Sequence, residues 1–579
     1  VSAKQLHSNY GVKHMQFDLG IVPFSRYGSF LVVSRLGSDK RAEGLYLRNV
    51  RGGDNRDGAV FRLELVDDGV AVPFEAVATP TVLVLRAEQG ELELCMGEPQ
   101  LVQVRGRGVG LRLVVESEAA DYVMPAPAEC LVVNHFTTEL HFRLTPLAGK
   151  VEVEDAWKAT RDSQVKLSFL PDGQTGELEG VIEEYQTVWR ERSYPDFAFG
   201  LARVEQEYRA WLGQTLPLSE AAREEGLAEA RELAAYITWS CVVRPEGYLP
   251  RPAMYMSKNW MTNIWSWDHC FNAMALTRWN LPLAWDQLMV FIDRQDESGV
   301  FPDFINDRYA LWNCCKPPIH GWTLGWMLAR NDDVTDEMLA AVYEPLCRWT
   351  DWWFRYRDDD QDGIPQYNHG YDCGWDNSTV FLDGTPIESP DLPAYLVLQM
   401  DVLAGVAMRL GRDDESQAWE EKSEATLQRL LAQHWDGKKF FATCSGSDQP
   451  TRGDSLICYM PLVLGEKLPK ELRDQLIADV QQRFLTDYGL ATESPASPYY
   501  RSDGYWLGPI WAPVTMLLVD GLRRAGEEKL SQEIARRFCR MAAASGMAEN
   551  FDPLSGAGLR DRAFTWTSSV FLMLAHEYV

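Results

Sequence analysis

The residues able to do chemistry in this 579-residue chain gather in a few short segments. Asn259-Trp260 leads into Trp265-Ser-Trp-Asp-His-Cys-Phe271, and Gln295-Asp-Glu-Ser-Gly-Val-Phe-Pro-Asp303 follows. Later come Tyr371-Asp-Cys-Gly-Trp-Asp-Asn-Ser378, Tyr505-Trp-Leu-Gly-Pro-Ile-Trp511 and Glu549-Asn-Phe-Asp-Pro553. Except for the Tyr505 segment, which is aromatic alone, each sets a carboxylate or amide beside an aromatic ring. Pyranose rings call for that mixture, because their faces are apolar C–H surfaces and their edges carry hydroxyls. Cutting a glycosidic bond needs two carboxyl groups in different environments, one protonated for the leaving oxygen and one ionised to attack or to activate water. Asp376 sits between Trp375 and Asn377 in a glycine-led loop, where a desolvating aromatic wall raises a carboxyl pKa. Glu549 precedes Asn550 and the Asp552-Pro553 turn, where its backbone leaves the helix. A lone Asp or Glu beside Trp also commonly caps a helix, and Trp267, Trp375, Trp506 and Trp511 serve equally well as core. Residue types alone therefore point to carbohydrate chemistry, of which hydrolysis is one form.

Charge and composition narrow the field. With 56 basic and 84 acidic residues the chain carries −28, a field that repels phosphate backbones and anionic lipid, so nucleic-acid and membrane partners are not expected. No run approaches 18 consecutive apolar residues. The start, Val-Ser-Ala-Lys-Gln-Leu-His, has no basic segment followed by an apolar one, so no signal peptide is read; a mature secreted chain would look the same. Eleven cysteines in no Cys-x-x-Cys spacing read as free thiols in a reducing cytoplasm, not as zinc ligands. Gly-x-Ser-x-Gly, Walker A and His-Glu-x-x-His motifs do not occur. The expected partner is a small-molecule carbohydrate, and homo-oligomerisation stays open.

The elements that must position these loops change character along the chain. Only Trp157, Trp189 and Trp211 of the 21 tryptophans precede residue 220. The first part reads as short strands separated by turns, among them 28–34, 60–66, 81–86, 90–95, 110–116, 130–134 and 139–144, at the spacing of a sandwich. Gly106-x-Gly108-x-Gly110 has no helix after it and reads as a turn. From Ser219, an N-cap before acidic first turns, the period becomes 3.6, and twelve helical segments follow up to 565–577. The expected organisation is multidomain β + α: an N-terminal β-sandwich over 1–180, a helical linker over 181–218 and an (α/α)6 toroid over 219–579.

Five motifs occur in an order that resembles glycoside hydrolase family 63, the group of processing α-glucosidase I and bacterial α-glucosidases, related to trehalases and mannosylglycerate hydrolases. They are Trp267-Asp268-x-x-Phe271, Gly299-x-x-Pro302, Gly374-Trp375-Asp376-Asn377-Ser378, Tyr505-Trp506-x-Gly508-x-x-Trp511 and Glu549-Asn550-Phe551-x-Pro553. The resemblance covers roughly 240–579. It implies an (α/α)6 barrel that cleaves α-glycosidic bonds with inversion, with Asp376 as general acid and Glu549 as general base. It also implies that Trp267, Asp268, Gln295, Trp375, Trp506 and Trp511 surround the sugar and that the chemistry needs no cofactor. The sequence departs from the family where an arginine often follows the Trp-Asp-Asn-Ser stretch; here Thr379-Val380-Phe381 stands. The expected substrate is a small α-glucoside, with glycerate glycosides as the alternative.

Asp358-x-Asp360-x-Asp362-Gly363-Ile364 carries carboxylates at positions 1, 3 and 5 and glycine at 6, the opening of a calcium loop, with the Ile364 main chain at position 7. Position 12 is His369 rather than Glu, so the loop is no complete EF-hand, and some bacterial family 63 enzymes resemble it in a structural Ca2+ loop before the catalytic aspartate. The bland alternative is a solvated acidic turn. Sugar epimerases form a rival class because some share the toroid. They commonly use a histidine pair, and His269, His320, His369, His434 and His576 are available.

Overall fold

The computed structural model describes residues 15–39, 41–115, 121–155, 165–447 and 449–579. The chain forms two compact units. One joins the residues up to Gln214 with Ala235–Arg244 and Ser257–Thr262; the other comprises Thr215–Ala234, Pro245–Met256 and Asn263–Val579.

The first unit is built on two antiparallel sheets. One runs Leu31–Ser38, Arg41–Asn49, Ala59–Asp67, Gly110–Val115, Lys166–Leu170, Lys150–Asp155, with Val70–Val72 paired to Ala59–Asp67. The other runs Tyr122–Ala126, Cys130–His135, Leu140–Ala148, Glu177–Tyr185, Leu101–Arg107, Glu91–Glu98, Leu83–Arg86, Glu75–Ala78. Alternating side chains point inward, as the two-residue strand period requires. Leu45, Leu63, Leu111 and Leu167 from one sheet and Leu94, Val104, Val133 and Leu144 from the other share one core. Phe61 meets Phe142 edge-on at 5.3 Å across it. Gly106 lies inside a strand and Gly108 turns with φ +78°, so the glycine triplet is half strand, half turn.

The segments 235–244 and 257–262 were expected with the helices, yet they belong to this unit because its buried polar groups depend on them. Glu184, fully buried, is held by Arg51 at 2.7 and 2.9 Å and Arg244 at 2.9 Å. Burial opposes its charge, but the two guanidiniums prevail and keep it below the usual carboxylate range. The buried Lys258 ammonium donates to Ser29 O at 2.5 Å and Ser25 Oγ at 3.1 Å.

The second unit is mainly helical, and its described helices follow the expected segments closely. The expected 219–240 helix breaks into Glu220–Glu224 and Ala228–Ser240 at Gly226, whose φ is +78°. The expected 453–463 helix is a 3-10 stretch, Leu456–Lys467, which contains Pro461 and is interrupted at Gly465. Six segments contact one another in a closed cycle: Asp268–Leu276, His320–Leu328, Asp391–Arg409, Leu456–Lys467, Ala512–Arg524, Thr565–Glu577, and back to the first. Leu281–Ile292, Asp336–Tyr356, Asp413–His434, Lys470–Arg483 and Glu528–Ala544 pack against members of that cycle. Within the cycle Gly321 lies so close to Gln399 that a Cβ would stand 2.4 Å from its Cα, and the Trp322 indole donates to Asp520 at 2.8 Å. Asp391–Arg409 is long and apolar enough to cross a membrane by length and composition, but most of it is buried in this unit, which accounts for its apolarity.

Two three-stranded ribbons carry the chemistry-bearing loops. Ile264–Trp265, Phe304–Ile305 and Ala310–Leu311 bring Trp267 and Asp268 beside Asp303. Ile510–Trp511, Asn550–Phe551 and Gly558–Leu559 pair Trp511 with Asn550, which ties the Tyr505–Trp511 segment to Glu549.

Candidate active site

Asp376 lies just beyond the short helix Gly370–Cys373, in a loop shaped by close packing. Gly374 turns with φ +75°, and a Cβ there would stand 2.7 Å from the Trp267 ring; a Cβ on Gly370 would stand 2.1 Å from the Asp376 carbonyl oxygen. Trp375 stacks on Trp506 at 5.0 Å. The Asn377 amide accepts from Trp506 N at 2.9 Å and donates to Gly504 O at 3.0 Å, so the loops bearing Asp376 and Tyr505 are clamped together. Tyr505, itself at φ +66°, donates its hydroxyl to Asp376 Oδ2 at 3.2 Å. Asp376 is half-buried, and desolvation pushes its carboxyl above the usual carboxylate range against the pull of Lys316 and Tyr505.

Glu549 is 5% exposed and precedes the Asn550–Phe551 strand. Its N–H donates to Asp561 O at 2.9 Å, and Asp561 N donates to its Oε2 at 3.3 Å. The Trp566 indole donates to its carbonyl at 3.2 Å. Positive φ values at Met547, Arg560 and Ala563 show how far the backbone bends to hold this ribbon. Burial, reinforced by Asp561, pushes Glu549 up to about 8, and the charge of Asp376 adds to that push. Asp376 and Glu549 therefore feel each other, and they share their surroundings with Asp268. Asp268 is buried at the start of Asp268–Leu276 and held well above its ordinary pKa by burial, with Asp303 and Glu549 adding to the push and Lys316 opposing it.

The predicted tryptophans form one wall. Trp506 stacks flat on Trp511 at 3.9 Å, Trp267 lies 6.3 Å from Trp506, and Trp566 stands edge-on to both Trp267 and Trp511. None of Trp267, Trp375, Trp506 and Trp511 is more than 2% exposed, so their faces are spent on one another rather than left open for stacking on a sugar. The structure does not bring Gln295 to this cluster. Its amide donates to Gly299 O and Pro345 O, both at 2.8 Å, and accepts from Arg348 at 2.5 Å, which braces the loop leading to Asp303. Sequence reasoning missed Lys316, in a segment matching no motif; Tyr505, whose hydroxyl reaches Asp376 only after a left-handed turn; and Asp561 and Trp566, which hydrogen-bond to Glu549.

Asp358, Asp360 and Asp362 place carboxylate oxygens within 4.8 Å of one another. Ile364 offers its N–H to Asp362 Oδ1 at 2.7 Å. Asp358 Oδ1 and Glu388 Oε1 are buried oxygens without a hydrogen-bond partner. Glu388, 2% exposed, is pushed up to about 7 by burial, with Asp362 and Asp360 adding to it. Two buried carboxylate oxygens left unpaired beside the carboxylates of Asp360 and Asp362 fit a hard cation. His269 and His320 are 5.1 Å apart, but both are fully buried; burial pushes His269 down to about 3 and His320 well below its ordinary value. A neutral pair shut away from solvent does not suit proton transfer to a sugar.

Residues 261–567 match the family described as the mannosylglycerate hydrolase MGH1-like glycoside hydrolase domain, over half of the chain. The chain belongs to this family of glycoside hydrolases, within family 63. It is 24% identical over 421 residues to the mannosylglycerate hydrolase of Rubrobacter radiotolerans, covering 57% of this chain and 92% of that one. It is 22% identical over 408 residues to the glucosylglycerate hydrolase of Mycolicibacterium hassiacum, covering 54% and 91%. A crystal structure of the family 63 mannosylglycerate hydrolase from Thermus thermophilus in complex with glucose superposes with a TM-score of 0.52 at 18% identity, covering 59% and 98%. That likeness shows a shared fold.

Proposed function

We propose that this family 63 glycoside hydrolase cleaves the α-glycosidic bond of a small glycerate glycoside, of the mannosylglycerate or glucosylglycerate type, with inversion at the anomeric carbon. The observation that carries the reading is the pair Asp376 and Glu549, electrostatically coupled in one acidic, tryptophan-walled site. The names of the curated relatives favour a glycerate glycoside over the general α-glucoside expected from the sequence.

In this reading Asp376 gives its proton to the glycosidic oxygen as the C–O bond breaks. Water attacks the anomeric carbon from the opposite face and leaves its proton on Glu549. Tyr505 occupies Asp376 Oδ2, which leaves Oδ1 to carry the proton to the substrate. The upward shift of the Asp376 pKa favours the protonated form that a general acid needs. One observation favours the reversed roles: Glu549, with its pKa near 8, grips its proton harder than a resting base should. Two coupled carboxyls titrate as a pair, so the roles are settled kinetically. Asp376→Asn should cut turnover of glucosylglycerate about 10²–10⁴-fold yet spare an α-glycosyl fluoride, whose leaving group needs no acid. Glu549→Gln should lose both substrates and recover with azide as the β-glycosyl azide. The mirror pattern would reverse the roles, and normal turnover in either variant would dismiss the pair.

We infer further that the helical unit is an (α/α)6 toroid, a reading supported by the closed cycle of six segments. Asp358, Asp360, Asp362 and the Ile364 main chain we read as the core of a structural Ca2+ site with no part in the chemistry. The unpaired oxygens of Asp358 and Glu388 support it.

A further inference from the structure

Lys316 sits in a segment that none of the motifs covers, between the strand Ala310–Leu311 and the helix His320–Leu328. Pro317 and Pro318 follow it and restrict its backbone. Cys315 N donates to Asp372 Oδ1 at 3.0 Å, which pins the segment to the loop of Asp376. The Lys316 side chain is 7% exposed, and its ammonium meets Asp303 Oδ1 at 2.7 Å and donates to Tyr371 O at 2.7 Å. Asp303 is fixed in turn: its N–H donates to Leu311 O at 2.8 Å, and its carbonyl accepts from Ser266 N at 2.9 Å. One buried cation thus ties together the loops that carry Asp268, Asp303 and Asp376. Burying an ammonium is costly unless carboxylates repay it. Here Asp303, Asp376 and Asp268 outweigh burial and hold Lys316 charged.

We propose that Lys316 is a positioning residue for the general acid: it anchors the Tyr371–Asp376 loop to Asp303 and supplies the positive charge that offsets the acidic walls of the site. The proposal rests on the reading of Asp376 as the acid. The groups facing Asp376 are Lys316, Tyr505, Asp303 and His369, and Glu549 couples to it. Removing the cation strengthens the hold of Asp376 on its proton, because an adjacent opposite charge depresses a carboxyl pKa by about 1–3 units. The alkaline limb of the activity profile, where a general acid deprotonates, therefore moves to higher pH. A merely structural role would lower activity without moving that limb.

The test measures kcat and kcat/KM against pH for wild type, Lys316→Met, Lys316→Arg and Asp376→Asn, on glucosylglycerate and on an α-glucosyl fluoride. For Lys316→Met we expect a loss of about 10²-fold on glucosylglycerate, carried mainly by kcat, and under 10-fold on the fluoride. Its alkaline limb should rise by about one unit, and Lys316→Arg should restore the limb and most of the rate. Equal losses on both substrates, or an unmoved limb, with Asp376→Asn inactive on glucosylglycerate, would overturn the role of Lys316 alone. Normal hydrolysis by Asp376→Asn would overturn the acid assignment and the proposal with it. If Lys316→Met does not fold, Asp303→Asn, which unpairs the same cation, should reproduce the substrate-dependent loss; equal losses there would also overturn the proposal.

Discussion

Glu549 stores instability that its own replacement should release. Burial beside Asp561 raises its pKa from 4.5 to about 8, so the folded chain holds a proton that the unfolded chain gives up. A group with a raised native pKa contributes fully to stability below its unfolded value and loses that contribution as pH climbs to the native value. At 1.36 kcal/mol per unit, the loss between pH 4.5 and 7 is about 3 kcal/mol, and it reaches about 5 kcal/mol above pH 8. Glutamine preserves the shape and can still accept from Asp561 N, but it does not titrate. Glu549→Gln should therefore match wild type near pH 4.5 and exceed it by about 3 kcal/mol at pH 7. Urea unfolding read by tryptophan fluorescence suits the measurement, since most tryptophans follow residue 219 and several wall this site. A variant that is less stable, or a difference that does not change with pH, would refute the argument that Glu549 is a buried, proton-holding carboxyl.

Two other outcomes follow from local geometry. Gly374→Ala places a methyl 2.7 Å from the Trp267 ring at φ +75°, so it should cost about 1–3 kcal/mol and displace Asp376 enough to lower kcat; an unchanged Tm and kcat would show that this contact does not position the acid. Calcium titrated into protein stripped with EGTA should raise Tm in wild type and not in Asp360→Ala, with Glu388→Gln showing a smaller gain; an equal gain in all three would deny the loop its ion.

Much of the fold was legible because its signals are local. Periodicity places Asp336–Tyr356 and Asp413–His434 within a few residues, since their apolar stripes and acidic first turns require no distant partner. Strands such as Lys150–Asp155 and Tyr122–Ala126 went unread because their identity comes from the neighbours they pair with, not from their own composition. The same divide runs through the site. Asp376 and Glu549 stand out in the sequence beside aromatic and amide residues, and in the fold burial raises both carboxyls. Gln295 carried an equally suggestive context, yet its amide braces main-chain carbonyls. Lys316 has an undistinguished context and stands among the carboxylates only because a ribbon and two prolines place it there. The tryptophans were legible as a group, but not their use, since only packing reveals that Trp506 and Trp511 face each other.

The most direct test of the central claim is proton NMR of the first product formed from glucosylglycerate and from mannosylglycerate. Cleavage that releases the β-anomer first is the result expected of a water-activating Glu549 opposite a proton-donating Asp376. An initial α-anomer would mean retention and would contradict the role given to Glu549, and no cleavage of either glycoside would contradict the substrate class.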